Sequence, residues 1–203
     1  MSRIVVLGGA ESGVGAAVLA KTKGFDVFLS DNGQIKDEYV RTLRDWDIPF
    51  EQGGHSSGLV MNADEIIKSP GIPSAAPMIK QLVSAGIPVI SEIEFASRYD
   101  NAKKICITGS NGKTTTTSII YYLLQQAGLN VGLGGNIGKS YAMQVATEKH
   151  DYYVLEISSF QLDNCYNFRP DIAIITQRFI QIQHTMESIL SRQFSANSSL
   201  GTP

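Results

Sequence analysis

The sequence predicts an α/β protein built on parallel sheets, and three observations carry that prediction. Short apolar runs that read as strands alternate with helical apolar stripes through residues 1–97. A glycine turn follows the first of these strands, at Gly8 to Gly15. A later strand, Ile105 to Thr108, runs into Gly109-Ser110-Asn111-Gly112 and then into a helix opening Lys113-Thr114-Thr115. Repeated βα units of this length favour parallel strands joined by right-handed crossovers.

Each element has its own justification. Ile4 to Leu7 is a continuous apolar run, as a strand covered on both faces should be. Val14, Ala17 and Val18 begin a helical stripe that ends near Gly24, and Phe25 to Ser30 is a second strand closing at Asp31. A helix over Glu38 to Trp46 precedes a strand from Ile48 to Glu51. Ile66 to Ser69 reads as a strand stopped by Pro70-Gly71; Met78, Ile79, Leu82 and Val83 then mark a helix ending at Gly86, before the strand Val89-Ile90. After the polar stretch Arg98 to Ala102 a second unit begins. Its helix carries Ile119, Ile120, Leu123 and Leu124 as one apolar stripe and stops at Gly128. Val131 to Leu133, Tyr152 to Leu155 and Ile172 to Ile175 complete the strands, so Thr108, Glu156 and Thr176 fall at strand ends on one rim, where such sheets collect ligands. The expected organisation is a Rossmann-like domain over 1–97, a partial P-loop α/β domain over 103–176, and a divergent tail over 177–203.

Composition narrows the class. The chain has 203 residues, of which 43% are hydrophobic and 18% charged, with a formal net charge of −2. That balance makes no electrostatic case for nucleic acid. No apolar run approaches the roughly 20 residues needed to span a bilayer, and the N-terminus enters a strand without a signal-peptide layout. Cys106 and Cys165 lack metal-ligand spacing and suit reduced thiols. A cytoplasmic, monomeric protein is expected. His55, beside Gly53-Gly54, and His150 match no metal or catalytic pattern and read as surface histidines.

The turn at 109–115 is the most informative chemistry. A strand, a glycine turn and a helix opening with Lys-Thr present backbone N–H groups and the helix dipole to phosphates. In such a loop Gly109, Ser110, Asn111, Gly112, Lys113, Thr114 and Thr115 surround the phosphates; Lys113 reaches the β- and γ-phosphates and Thr114 sits on Mg²⁺. The general pattern wants glycine where this chain has Ile107. The first glycine turn, Gly8-Gly9-Ala10-Glu11-Ser12-Gly13, has alanine where backbone must closely approach a pyrophosphate, which weakens a nicotinamide reading. Asp31, 18 residues beyond Gly13, stands near the spacing of a ribose-binding acid. A dinucleotide, another diphosphate ligand and a purely structural turn all remain open for it.

Taken together, Thr108-Gly-Ser-Asn-Gly-Lys-Thr-Thr115, Gly134-Gly-Asn-Ile-Gly138 and Leu155-Glu-Ile-Ser-Ser-Phe-Gln-Leu162 resemble the Mur ligase family, and Ser69-Pro-Gly-Ile72 and the first turn fit its UDP-binding domain. The resemblance runs over about 1–176. It implies ATP-dependent joining of D-glutamate to UDP-N-acetylmuramoyl-L-alanine through an acyl phosphate, with ATP and Mg²⁺ as cofactors. Lys113 and Glu156 then take catalytic roles, and Thr114 and Glu156, both hard oxygen donors, hold the metal. Gly8, Ser12 and Gly13 face the UDP diphosphate, and Asp31 and Asn32 the uracil side. Ser69, Asn136, Ser158 and Gln161 belong to the substrate site.

Beyond Thr176 the family continues with a segment of the type Asn-Ile-Thr-x-Asp-His-Leu-Asp; here the chain reads Gln177-Arg-Phe-Ile-Gln-Ile-Gln-His184, without that aspartate, so His184 inherits no metal role. From Gln177 to Pro203 there is neither Lys nor Asp. The shift predicts a frameshift, an altered terminus or a foreign extension, an exposed sheet edge after the last strand, and no ligase turnover. Two other classes stay in view: a nicotinamide-dependent oxidoreductase or sensor using the first turn, and a non-catalytic P-loop nucleotide-binding module.

Overall fold

A computed structural model describes residues 1–177; the segment expected to diverge, His184 included, otherwise lies outside the described residues. The first sheet comprises β1 (Arg3–Leu7), β2 (Asp26–Asp31), β3 (Phe50–Gln52), β4 (Glu65–Lys68) and β5 (Val89–Ser91) in the order β3-β2-β1-β4-β5, every pair parallel. Helices α1 (Glu11–Thr22), α2 (Asp37–Asp45), α3 (Ser57–Val60) and α4 (Pro77–Ser84) connect them, and α5 (Glu92–Ser97) leaves the last strand. Because β1 is central and its neighbours wind outward in both directions, the carboxyl ends of β1 and β4 open a crevice at the switch point. Gly8 and Ser69 stand there, each immediately after its strand.

The second sheet has the order β7-β8-β6-β9, again parallel, from β6 (Lys103–Thr108), β7 (Val131–Gly135), β8 (Tyr152–Glu156) and β9 (Ile172–Ile175). Helices α6 (Lys113–Gln126), α7 (Tyr141–Thr147) and α8 (Ser159–Leu162) flank it. Thr108 and Glu156 end adjacent strands, as the apolar runs predict. The α6 stripe divides differently from the expectation. Ile120, Tyr121 and Leu124 pack on Ile105, Ile107, Val131 and Val154, whereas Ile119 and Leu123 are 53% and 59% exposed. At 100° per residue a face centred on 120 and 124 turns 119 and 123 to its flank. Among the described residues β9 is an edge strand, with Ile172 and Ile175 exposed.

The two sheets share one core through α1, α5 and α7. Tyr141 and Tyr153 are fully buried and meet edge to face, with ring centroids 4.9 Å apart. At the closest point of α1 and α7 a Cβ on Gly15 would lie 2.0 Å from Ser140 Oγ, so only glycine permits that approach. Carboxylates stitch the seam. Glu11 accepts from Ser140 N–H (3.0 Å), and Glu92 accepts from Ser140 Oγ–H (2.8 Å) and Ala142 N–H (2.7 Å). Cys106 and Cys165 are buried free thiols of this core.

Glu92 gives the seam a pH dependence. Burial lifts its carboxyl from 4.5 to about 7, against the opposing bonds from Ala142 and Ser140. The folded state therefore holds a proton that the unfolded chain releases, and stability from this group is full below about pH 4.5 and lost as pH rises through about 7. Glutamine mimics the protonated form. Glu92→Gln is expected to match the wild type at low pH and to exceed it by about 3 kcal/mol above pH 7. Thermal unfolding of both proteins across that window reads the difference directly; equal midpoints at every pH would contradict it.

Candidate functional site

The loop at 109–112 forms because two glycines take conformations that other residues rarely adopt. Gly109 has φ 135° and Gly112, the residue before α6, has φ 80°. A Cβ on Gly109 would meet Thr176 Oγ1 at 2.5 Å, so the loop lies pressed against the end of β9. Ser110 N–H donates to Gln177 O (3.0 Å), and Asn111 Nδ2 to Gln177 Oε1 (3.0 Å), so the first residue of the expected tail is part of the loop's support. Lys113 Nζ lies over the loop, 2.8 Å from Gly109 O. Thr115 is exposed on the first turn of α6.

Glu156 closes the site from β8. It is 1% exposed, and its two oxygens accept from Thr114 Oγ1–H (2.8 Å) and Asn136 Nδ2–H (2.8 Å). Asn136 N–H also donates to Glu156 O (2.7 Å), fastening the loop after β7 to the end of β8. Lys113, Thr114 and Glu156, expected for ATP and metal, lie together at this loop, and Asn136, expected for the substrate, joins them through Glu156. Ser158 and Gln161 adjoin it but serve α8: Gln161 is buried, its Oε1 accepts from Ser158 N–H (2.9 Å), and Ser158 Oγ accepts from Gln161 N–H, a reciprocal cap.

The residues fit a magnesium-bound triphosphate. Glu156 is a buried carboxylate whose partners Thr114 and Asn136 are neutral, and it enters none of the ion pairs among the described residues. Burying such a group without a cation is costly. Ser110 Oγ is buried without a hydrogen-bond partner among the described residues. Among the described residues no cluster of three or more His, Cys, Asp or Glu side chains could hold a metal alone. Two protein oxygens completed by phosphate and water is the arrangement magnesium prefers.

A second cavity, of about 570 Å³, opens at the switch point of the first sheet. Gly8, Asp31, Asn32 and His55 line it together with the apolar Leu7, Ile72, Pro73 and Met78. Gly13 must be glycine because a Cβ there would lie 1.8 Å from Gly8 O. Ala10 caps α1 without a side-chain hydrogen bond, which leaves first-turn N–H donors, Ser12 among them, for an anion. Ser69 is buried, with its Oγ beside Gly8 O. Asp31 holds the turn: its carboxylate accepts from Gly9 N–H and Gly33 N–H (2.7 Å). Of the residues expected for the substrate, Gly8, Asp31 and Asn32 line this crevice, Gly13 and Ser69 pack against Gly8 behind it, Ser12 lies on the first turn of α1, and Asn136 stands at the loop site. His55, expected as a surface histidine, is partly exposed and lines the cavity. His150 lies outside both sites, between Asn130 and Glu148.

Comparison with known proteins follows the same division. The Mur ligase MurD-like N-terminal domain matches residues 2–91 and the Mur ligase middle domain residues 107–192. The UDP-N-acetylmuramoylalanine--D-glutamate ligase of Bacteroides fragilis is 59% identical over 198 residues, which is 96% of this chain and 45% of the relative. The ligase of that name from Porphyromonas gingivalis is 58% identical over 172 residues, 85% of this chain and 38% of the relative. The chain thus spans less than half the length of these relatives, and the Bacteroides match extends past Thr176. Among solved structures, UDP-N-acetylmuramate:L-alanyl-gamma-D-glutamyl-meso-diaminopimelate ligase from Neisseria meningitides superposes with a TM-score of 0.63 at 20% identity, covering 94% of this chain and 68% of that one. UDP-N-acetylmuramate-alanine ligase from Thermotoga maritima gives 0.58 at 22%, covering 97% and 46%. Both share the fold. No helix among the described residues is long and apolar enough to cross a membrane.

Proposed function

The chain belongs to the Mur ligase family, and from that premise we propose that it carries the nucleotide-sugar and ATP sites for adding D-glutamate to UDP-N-acetylmuramoyl-L-alanine in peptidoglycan precursor synthesis. The observation that carries the proposal is the Lys113–Thr114–Glu156–Asn136 constellation at the carboxyl ends of β6, β7 and β8, together with a separate crevice of about 570 Å³ in the first sheet. A free carboxylate is a poor electrophile. It becomes reactive when its oxygen takes the γ-phosphoryl group of ATP and ADP departs; the amine of D-glutamate then adds to the carbonyl, loses a proton and expels phosphate. Such a transfer depends on positioning and charge neutralisation.

This chain's residues supply both. Lys113 places a cation at the loop, and Gly109 and Gly112 let backbone N–H groups face the phosphates. Bound Mg²⁺ would add charge neutralisation on Thr114 Oγ1 and Glu156. Asn136 orients Glu156 through two hydrogen bonds and keeps its Oδ1 for the substrate. Lys113→Ala is expected to weaken magnesium–ATP binding about 10- to 100-fold, the worth of a hydrogen bond to a charged group. Titration calorimetry of the wild type and variant with ATP and Mg²⁺ checks this. Equal affinities would remove the loop from the ATP site.

A further inference from the structure

We propose that His55 reads the Watson–Crick edge of a uracil base in the first-sheet cavity, through an Nε2 lone pair held available by Ser30 and Glu51. The inference deepens the nucleotide-sugar reading above and rests on it.

Ser30 is the penultimate residue of β2 and is fully buried. Its Oγ lies 2.6 Å from Glu51 Oε1 and 2.6 Å from His55 Nδ1. A hydroxyl has one hydrogen and can donate it to only one of these neighbours. Glu51 is held below the usual carboxylate range by hydrogen bonds from Ser30 and Ser56, which outweigh its burial, so it is ionised and can only accept. The serine hydrogen therefore goes to Glu51. Nδ1 must then carry its own hydrogen and donate it to Ser30 Oγ. In a neutral imidazole that leaves Nε2 as an acceptor.

The ring lines the cavity beside Asp31 and Asn32, and no hydrogen bond among the described residues engages Nε2. Ile72, Pro73 and Met78 line the same cavity and offer apolar contacts of the kind the face of a flat ring needs. Asp31 is a poorer base reader, because both its oxygens already accept backbone N–H groups. At ring position N3 uracil donates a hydrogen where cytosine offers a lone pair. A chain in which Nε2 accepts prefers the uridine nucleotide, since the cytidine one sets two lone pairs against each other.

The test uses the full chain at about pH 8, where an ordinary histidine is neutral. Calorimetry with UDP-N-acetylmuramoyl-L-alanine, UDP and CDP compares the wild type with His55→Ala. The expected result is UDP bound about tenfold more tightly than CDP by the wild type, with that preference lost in the variant. Undiminished uridine preference in His55→Ala overturns the role of His55 and leaves the nucleotide-sugar reading intact. Failure of the wild type to bind the UDP-sugar overturns that reading and the inference with it. Long-range ¹⁵N–¹H correlation spectra of the wild type give a check that no folding defect can blur. His55, assigned by its absence in the variant, should be the Nδ1–H tautomer, and an Nε2–H tautomer would overturn the proposal.

Discussion

Glu94→Ala is expected to lower the unfolding midpoint by about 10–20 °C. Glu94 sits on α5, is 1% exposed, and its Oε2 accepts three successive backbone N–H groups: Tyr166 (3.0 Å), Asn167 (2.9 Å) and Phe168 (2.8 Å). These belong to the segment after α8, so one carboxylate pins the second sheet's return to β9 onto the helix that leaves the first. Alanine strands the three donors, each costing about 1–3 kcal/mol if left unpaired. The loss is therefore roughly 3–9 kcal/mol, the upper end applying only if all three stay unpaired, a large part of a domain's net stability. Glu94→Gln keeps an acceptor oxygen and is expected to lose less than half as much. Thermal and denaturant unfolding measure both. A shift of under 2 °C or so for the alanine variant would show that water replaces the carboxylate without cost.

Gly135→Ala is expected to cost about 3 kcal/mol and to abolish tight magnesium–ATP binding. Gly135 has φ 94°, outside the range an L side chain adopts readily, and its Cβ would lie 2.1 Å from Glu156 O. Backbone cannot rotate away as a side chain does, so β7 must move from β8. That displacement breaks the Asn136 N–H to Glu156 O bond and the Asn136 side-chain contact with Glu156 Oε1. Glu156 is then no longer aimed at Thr114. Gly128→Ala serves as the control, because its φ of 76° carries similar strain but nothing lies within 4 Å of an added Cβ. Calorimetry on the two variants separates strain from displacement: ATP affinity should fall in the first and persist in the second.

Much of this organisation is legible in the sequence, for definite reasons. Val5, Val6 and Leu7, or Val154 and Leu155, are covered on both faces, so their strands announce themselves as unbroken apolar runs. The loop at 109–115 is legible because its chemistry requires particular residues in order. The helix α5 is harder to see: Glu92 and Glu94 look like solvent-facing acids, yet both are buried as acceptors for backbone N–H groups supplied about 50 and about 73 residues later. A local pattern holds no trace of a partner that distant. Gln161 illustrates the converse. Its motif points to the substrate, while its position three residues after Ser158 also spells a helix cap, the role its hydrogen bonds show. His55 reads as idle because its partners, Ser30 and Glu51, lie on two different strands and become a triad only when β2 pairs with β3. The signal that could have found it is the polar Ser30 at the end of an apolar run, beside Asp31.

Thermal unfolding of the chain with UDP-N-acetylmuramoyl-L-alanine, and in parallel with NAD, tests the central claim most directly. The cavity at Gly8 to Gly13 has alanine at the closest approach to a pyrophosphate and an Asp31 already committed to Gly9 and Gly33, which speaks for the UDP-sugar over the dinucleotide. A ligand at 100 times its dissociation constant stabilises by about 2.7 kcal/mol, a rise of roughly 5–10 °C for a chain of this size. A rise of that order with the UDP-sugar and none with NAD is the predicted result. A rise with NAD alone would contradict the claim.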